Sequence, residues 1–192
     1  MKLKLTLFFS LIILCTSVFA QKTKKSADGK KPQLIGVNFI LVDYNSPSTI
    51  KNPGTTKGYS SFRSMSKGLS LTYWKGLTST IDFSTKINAI FNNYKLASSG
   101  QSDKTEIGLE LEPTINIRPF SDKAKLAPFL TTGVGGGYYT GDFGAYIPAG
   151  VGLQLNCNST TYLFVQAQYR FTLTKKVAGD NLLYSFGLAQ TF

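Results

Sequence analysis

The feature that most constrains this chain is an alternation of apolar and polar residues at period two, repeated in segments of about ten residues beyond position 33. Successive side chains of a strand point to opposite faces, so each segment carries one greasy face and one polar face. Residues 106–118 give the sharpest contrast. Ile107, Leu109, Leu111, Ile115 and Ile117 share one face, and Gly108, Glu110, Glu112, Thr114, Asn116 and Arg118 share the other. Pro113 interrupts the apolar face and predicts a bulge or a missing ladder bond. Residues 80–92 repeat the pattern: Ile81, Phe83, Ile87, Ala89 and Phe91 oppose Asp82, Ser84, Lys86 and Asn88, with Ile90 as the exception. Segments 34–43, 67–75, 128–139, 144–157, 162–172 and 181–192 bring the set to eight.

The connections vary in length in a way that fits a barrel. Residues 44–66 and 93–103 are long and polar, whereas Gly76-Leu77 and 158–161 are tight. Long loops at one end and short turns at the other are expected of a transmembrane barrel whose termini lie at the short-turn end. The intermediate stretches 119–127 and 140–143 fit this less well. In a soluble barrel the apolar face would point inward. Here the polar face gathers Lys86, Arg118, Arg170, carboxylates and the glycines Gly150, Gly152 and Gly187, which suit a narrow interior housing long charged side chains. No later stretch reaches the eighteen apolar residues of a membrane helix, and no helices stand ready to cover a greasy exterior. The expectation is an all-β, eight-stranded antiparallel transmembrane β-barrel over residues 34–192.

Eight strands leave an interior filled by side chains. Lys86, Glu110, Glu112 and Arg170 are therefore expected to form a polar network in the lumen, since an unpaired buried charge costs several kcal/mol. Such a network closes the barrel or, alternatively, gates a porin-like path for ions or small solutes. Tyr44, Tyr73, Trp74, Tyr94, Tyr138, Tyr139, Tyr162 and Tyr184 fall near strand ends, where aromatic belts meet the membrane interfaces.

Residues 1–20 have the form of a signal peptide: basic Lys2 and Lys4, an apolar stretch at 5–14, and Val18-Phe19-Ala20 ahead of Gln21. A lipoprotein signal on Cys15 is the rival, and Leu14 stands where that pattern wants a small residue. Losing Lys2 and Lys4 lowers the formal charge from +11 to +9. Much of the excess lies in Lys22, Lys24, Lys25, Lys30 and Lys31, so residues 21–33 are expected to be a basic, disordered leader, with anionic lipid head groups as an extra contact. An exported chain is not expected to bind nucleic acid. Cys157 is then the sole thiol, and the absence of any His removes the usual catalytic base and the commonest metal ligand. No enzyme, cofactor or metal site is expected. Gly133–Gly137 lacks the Lys-Ser/Thr pair and helix of a phosphate loop, and Asn158-Ser159-Thr160 reads as turn chemistry. A soluble lipocalin-like carrier is the main rival, but it needs an apolar lumen.

Several segments carry a likeness: Gly36-Val37-Asn38-Phe39, residues 68–77 followed by Ile81-Asp82-Phe83, residues 128–135, Ile147-Pro148-Ala149-Gly150-Val151-Gly152-Leu153-Gln154, and Gln168-Tyr169-Arg170. Together they resemble the N-terminal barrel of outer-membrane protein A-like proteins of the Bacteroidetes group, without their peptidoglycan-binding domain. The resemblance implies an outer-membrane location, contact with outer-membrane lipids and a structural envelope role. Phe192, closing a strand with Tyr184, Phe186 and Leu188 on one face, is similar to the C-terminal signal read by the barrel-assembly machinery.

Overall fold

The structure is a computed structural model that describes residues 29–51, 60–92, 106–122, 124–139, 142–174 and 179–192. The strands are β1 (Leu34–Asp43), β2 (Ser66–Gly76), β3 (Ile81–Asn92), β4 (Glu106–Ile117), β5 (Leu126–Gly133), β6 (Gly135–Tyr139), β7 (Asp142–Asn156), β8 (Thr161–Thr172) and β9 (Asn181–Thr191). A short helix, α1 (Ser46–Lys51), sits in the first long connection, where no helix was expected. Asp43 organises its start, with Oδ1 accepting from the Asn45 and Ser46 N–H groups and from the Ser60 hydroxyl.

Every ladder is antiparallel, and β9 returns to pair with β1. β5 and β6 form one stave between β4 and β7, so the barrel closes with eight staves. Closure leaves no sheet edge. The stave is interrupted at Val134 without any change of register. Val134 stands opposite Pro113, whose carbonyl accepts from the Val134 N–H at 3.2 Å while its ring nitrogen has nothing to donate. On the other side, continuing the register puts Gly133 opposite Pro148. The expected missing ladder bond is therefore present, and the expected bulge is not.

The faces fall as the alternation dictates. Each of the eight staves exposes a large apolar side chain near mid-length: Val37, Leu71, Ile87, Leu111, Leu130, Val151, Val165 and Phe186, at 45–59%. Val37, Leu71, Ile87 and Leu111 are direct partners in successive ladders, so the belt is continuous. A contiguous apolar surface of that size marks contact with another apolar phase. Inward positions carry Asn38, Ser70, Thr72, Ser84, Lys86, Asn88, Glu110, Glu112, Thr114, Asn116, Gln166, Gln168 and Arg170, all buried.

The aromatic expectation needs correcting at three positions. Trp74 and Tyr162 are buried inside the barrel, and Tyr139 hydrogen-bonds inward to Glu110. Their parity puts them on the lumen face, and each tyrosine hydroxyl finds a carboxylate there. Tyr73, Tyr138 and Tyr184 do point outward, and Tyr44 packs on an apolar cluster. Tyr94 lies outside the described residues.

Leu111→Arg should weaken folding into lipid vesicles by about 2–4 kcal/mol, as expected for a cation at mid-depth on a lipid-facing strand. Urea titration of the refolded barrel measures it. An unchanged midpoint would mean that this face does not meet lipid.

Candidate functional site: two ion clusters stacked in the lumen

Side chains on the inward face fill the lumen in layers. The end where β1 starts and β9 stops is here the terminal end, and the opposite end is the loop end. Toward the loop end, Lys86 and Glu112 are direct cross-strand partners on β3 and β4, as are Asn88 and Glu110. Lys86 Nζ donates to Glu112 Oε1 at 3.2 Å and to Gln166 Oε1 at 2.7 Å. Arg170 reaches across from β8, donating through Nη1 to Glu110 Oε2 at 2.9 Å and through Nη2 to Glu112 Oε2. Gln168 Nε2 adds a bond to Glu112 at 3.0 Å, and Asn88 Nδ2 one to Glu110 at 2.9 Å. The Tyr146 hydroxyl lies 3.1 Å from an oxygen of each carboxylate, and Arg170 stacks over its ring at 4.5 Å. Lys86, Glu110, Glu112 and Arg170 thus come together, two charges of each sign, almost wholly out of solvent.

Glycines make room for them. Gly137 faces Glu110 across the β4–β6 ladder, and a Cβ there would meet Glu110 Cγ at 2.8 Å. Gly135 makes the same allowance for the Tyr146 ring. Above this layer, Ile40, Val42, Ile90 and Leu183 form an aliphatic cap, which accounts for the odd Ile90 in the alternation.

A second cluster, not anticipated from the sequence, lies at the terminal end. Arg118 Nε lies 2.8 Å from Asp82 Oδ2, its Nη2 donates to Asp82 Oδ1 at 2.9 Å, and its Nη1 donates to Asp122 Oδ1 at 3.1 Å. Tyr162 and Gln154 also donate to Asp122, at 2.7 and 3.0 Å. The fourth charge is Lys31, expected in a solvated leader. Its ammonium lies 2.8 Å from Asp82 Oδ2 and 4.3 Å from the centroid of Trp74, with no exposed side-chain surface. Trp74, Phe164, Phe129 and Tyr162 pack around it as an aromatic layer, with Trp74 stacked on Phe164 at 4.6 Å. Asp82 and Arg118 lie on the polar faces already visible in the alternation, but nothing in a run of leader lysines singles out Lys31.

Burial pushes the Lys31 ammonium down from its ordinary 10.5 to about 8, against the opposing pull of Asp82. Between those values the unfolded chain holds a proton that the folded chain has released, so this residue makes stability rise with pH. The urea midpoint of the native barrel, measured relative to Lys31→Met, should climb between about pH 8 and 10; a falling difference would contradict the burial.

Glu112→Ala should cost about 3–5 kcal/mol, because Lys86 is left with only the neutral Gln166. Glu110→Ala should cost less, since Arg170 keeps Glu112. Adding Lys86→Met to Glu112→Ala should recover part of the loss. Additive effects in urea unfolding would mean the cluster is not coupled.

Outside the lumen, the Lys51 ammonium pairs with Asp180, which also accepts from Tyr169 and the Thr172 N–H and so ties α1 to the β8–β9 connection. Cys157 is exposed in the β7–β8 turn. Phe192 packs its ring against Tyr73 at 6.3 Å. Among the described residues, no three His, Cys, Asp or Glu side chains gather as a metal site.

No protein-family model and no curated protein matches the chain. Solved structures do. The N-terminal β-barrel domain of Pseudomonas aeruginosa OprF is 10% identical, with 83% of this chain and 97% of that chain covered and a TM-score of 0.53. Neisserial surface protein A is 13% identical over 88% of this chain and 100% of that chain, at 0.55. The outer-membrane protein OprG of Pseudomonas aeruginosa is 11% identical over 85% and 97%, at 0.52. At such identities the likeness is one of fold: this chain has the eight-stranded barrel architecture seen in outer-membrane proteins.

Proposed function

We propose that the protein is an outer-membrane barrel with a structural, non-catalytic role in the envelope, its lumen closed by its own side chains. The observation that carries this reading is the pair of neutral ion clusters stacked along one narrow interior. Arg170 and Arg118 are each buried and each bonded to two carboxylates. A solute would have to break both layers, and each break strands a charge in a low-dielectric space. The continuous apolar belt supports a place in lipid, and the polar middle of the lumen speaks against a lipocalin-like carrier. Its partners on this reading are the outer-membrane lipids, and the resemblance to Bacteroidetes outer-membrane protein A-like barrels suggests where relatives would be found.

Planar-bilayer recording of the refolded protein tests the closure. Negligible or small, infrequent conductance is expected. Large steady currents whose ion selectivity changes in Glu110→Ala, with stability intact, would make the network a pore lining and the protein a porin-like channel.

A further inference from the structure

The terminal-end cluster, built from Asp82 on β3 and from Arg118 and Asp122 in the β4–β5 connection, is not balanced without the segment that precedes β1. Asp82 and Asp122 bring two negative charges against the single positive charge of Arg118. The deficit is made up by an ammonium from the chain ahead of β1. Lys31 inserts its side chain from the segment before β1, under the Trp74 ring and 5.1 Å from that of Phe164. Two aromatic faces beside a carboxylate make a cage for an ammonium ion, which they attract through the ring quadrupole as well as the charge.

The backbone around Lys31 is fitted to the barrel mouth. The Lys31 carbonyl accepts from the Gly76 N–H at 3.2 Å, and the Gly29 carbonyl accepts from the Asp122 N–H at 3.2 Å. A Cβ on Gly76 would meet the Lys31 backbone nitrogen at 2.5 Å, so only glycine lets the segment lie this close. Gly29 takes φ +67°, a left-handed turn that glycine adopts without strain. With the Phe192 N–H donating to the Gln33 carbonyl at 3.4 Å, these are three backbone bonds in all among the described residues, few compared with the closed ladders beside them. The segment is therefore a separate piece of chain resting in a preformed site.

We propose that the terminal end of the lumen is a binding site for a primary alkylammonium ion, occupied in the resting protein by the chain's own Lys31, with residues 29–33 as a removable stopper. Asp82, Asp122, Arg118 and Tyr162 are the charged and titratable groups facing the ammonium, and of these the two carboxylates attract it by charge. A free alkylammonium of matching length can take the place of Lys31 when that side chain is shortened.

Trp74 is the sole tryptophan, so its emission reports on this site directly. In the refolded full chain, Trp74 should resist quenching by acrylamide. Lys31→Ala should raise quenching severalfold, and n-butylammonium should reverse the rise in a saturable way while n-butanol does not. Unchanged quenching in Lys31→Ala, or equal protection by n-butanol, would overturn the proposal. Should Lys31→Ala fail to refold, Lys31→Met keeps the apolar stem and gives a second reading. Trypsin should then cut after Lys30 at least tenfold faster than in the native protein, and equal rates would overturn the idea. Failure of both variants to refold would also overturn it, because Lys31 would then be part of the core and not a stopper.

Discussion

A closed ladder is the constraint on which everything else in this molecule depends. Backbone hydrogen bonds run from stave to stave around all eight, and β9 meeting β1 removes the last edge. In hydrocarbon this is one of only two ways to satisfy a spanning backbone. Closing at eight also fixes the interior at side-chain width. Space then governs which residue can stand where. Gly137 makes room for Glu110, Gly152 for the Phe129 ring and Gly187 for Asn38. Even the ladder's weak point is shared out, with Pro113 and Pro148 flanking the single break at Val134.

With the apolar faces turned outward, the interior has to absorb the polar half of every stave. It does so by matching charge within layers. Lys86 and Arg170 balance Glu110 and Glu112, and Lys31 and Arg118 balance Asp82 and Asp122. Neutral bonds such as Ser84 to Thr114 at 2.7 Å and Asn116 to Ser84 at 2.8 Å lie along the same inward face. Buried pairs contribute little net stability, because desolvation offsets the attraction, but removing one partner is severe. The clusters are better understood as enforcing one arrangement of the lumen than as its main source of stability.

Much of this was legible in the chain itself. Period-two alternation assigns Lys86, Glu110, Glu112 and Arg170 to one side of their strands, and antiparallel pairing brings them within reach. The same parity sends Trp74 inward, since Leu69, Leu71 and Tyr73 point out. The preference of aromatic rings for membrane interfaces does not hold at Trp74, whose ring packs on Phe164 and Phe129 inside the barrel. The β5–β6 break could be half seen in Pro113 but needed the register to reveal Pro148 on the far side. Lys31 was not legible, because a lysine among leader lysines carries no local sign of burial. Its position follows from Asp82 and Asp122 outnumbering Arg118, a fact of tertiary assembly. The aliphatic cap of Ile40, Val42, Ile90 and Leu183 was likewise visible only as a lone exception.

The two faces of each strand meet different media, lipid outside and a packed polar lumen inside. A nitroxide scan along β4 of the barrel in lipid vesicles, one labelled position at a time from 107 to 117, reads this directly. Collision with lipid-soluble oxygen should peak at 107, 109, 111, 115 and 117. The intervening positions should be shielded from both oxygen and a water-soluble nickel chelate. Access of the chelate to 108, 110, 112, 114 and 116 would reveal a water-filled channel, and its access to the odd positions would mean that the barrel does not lie in lipid at all.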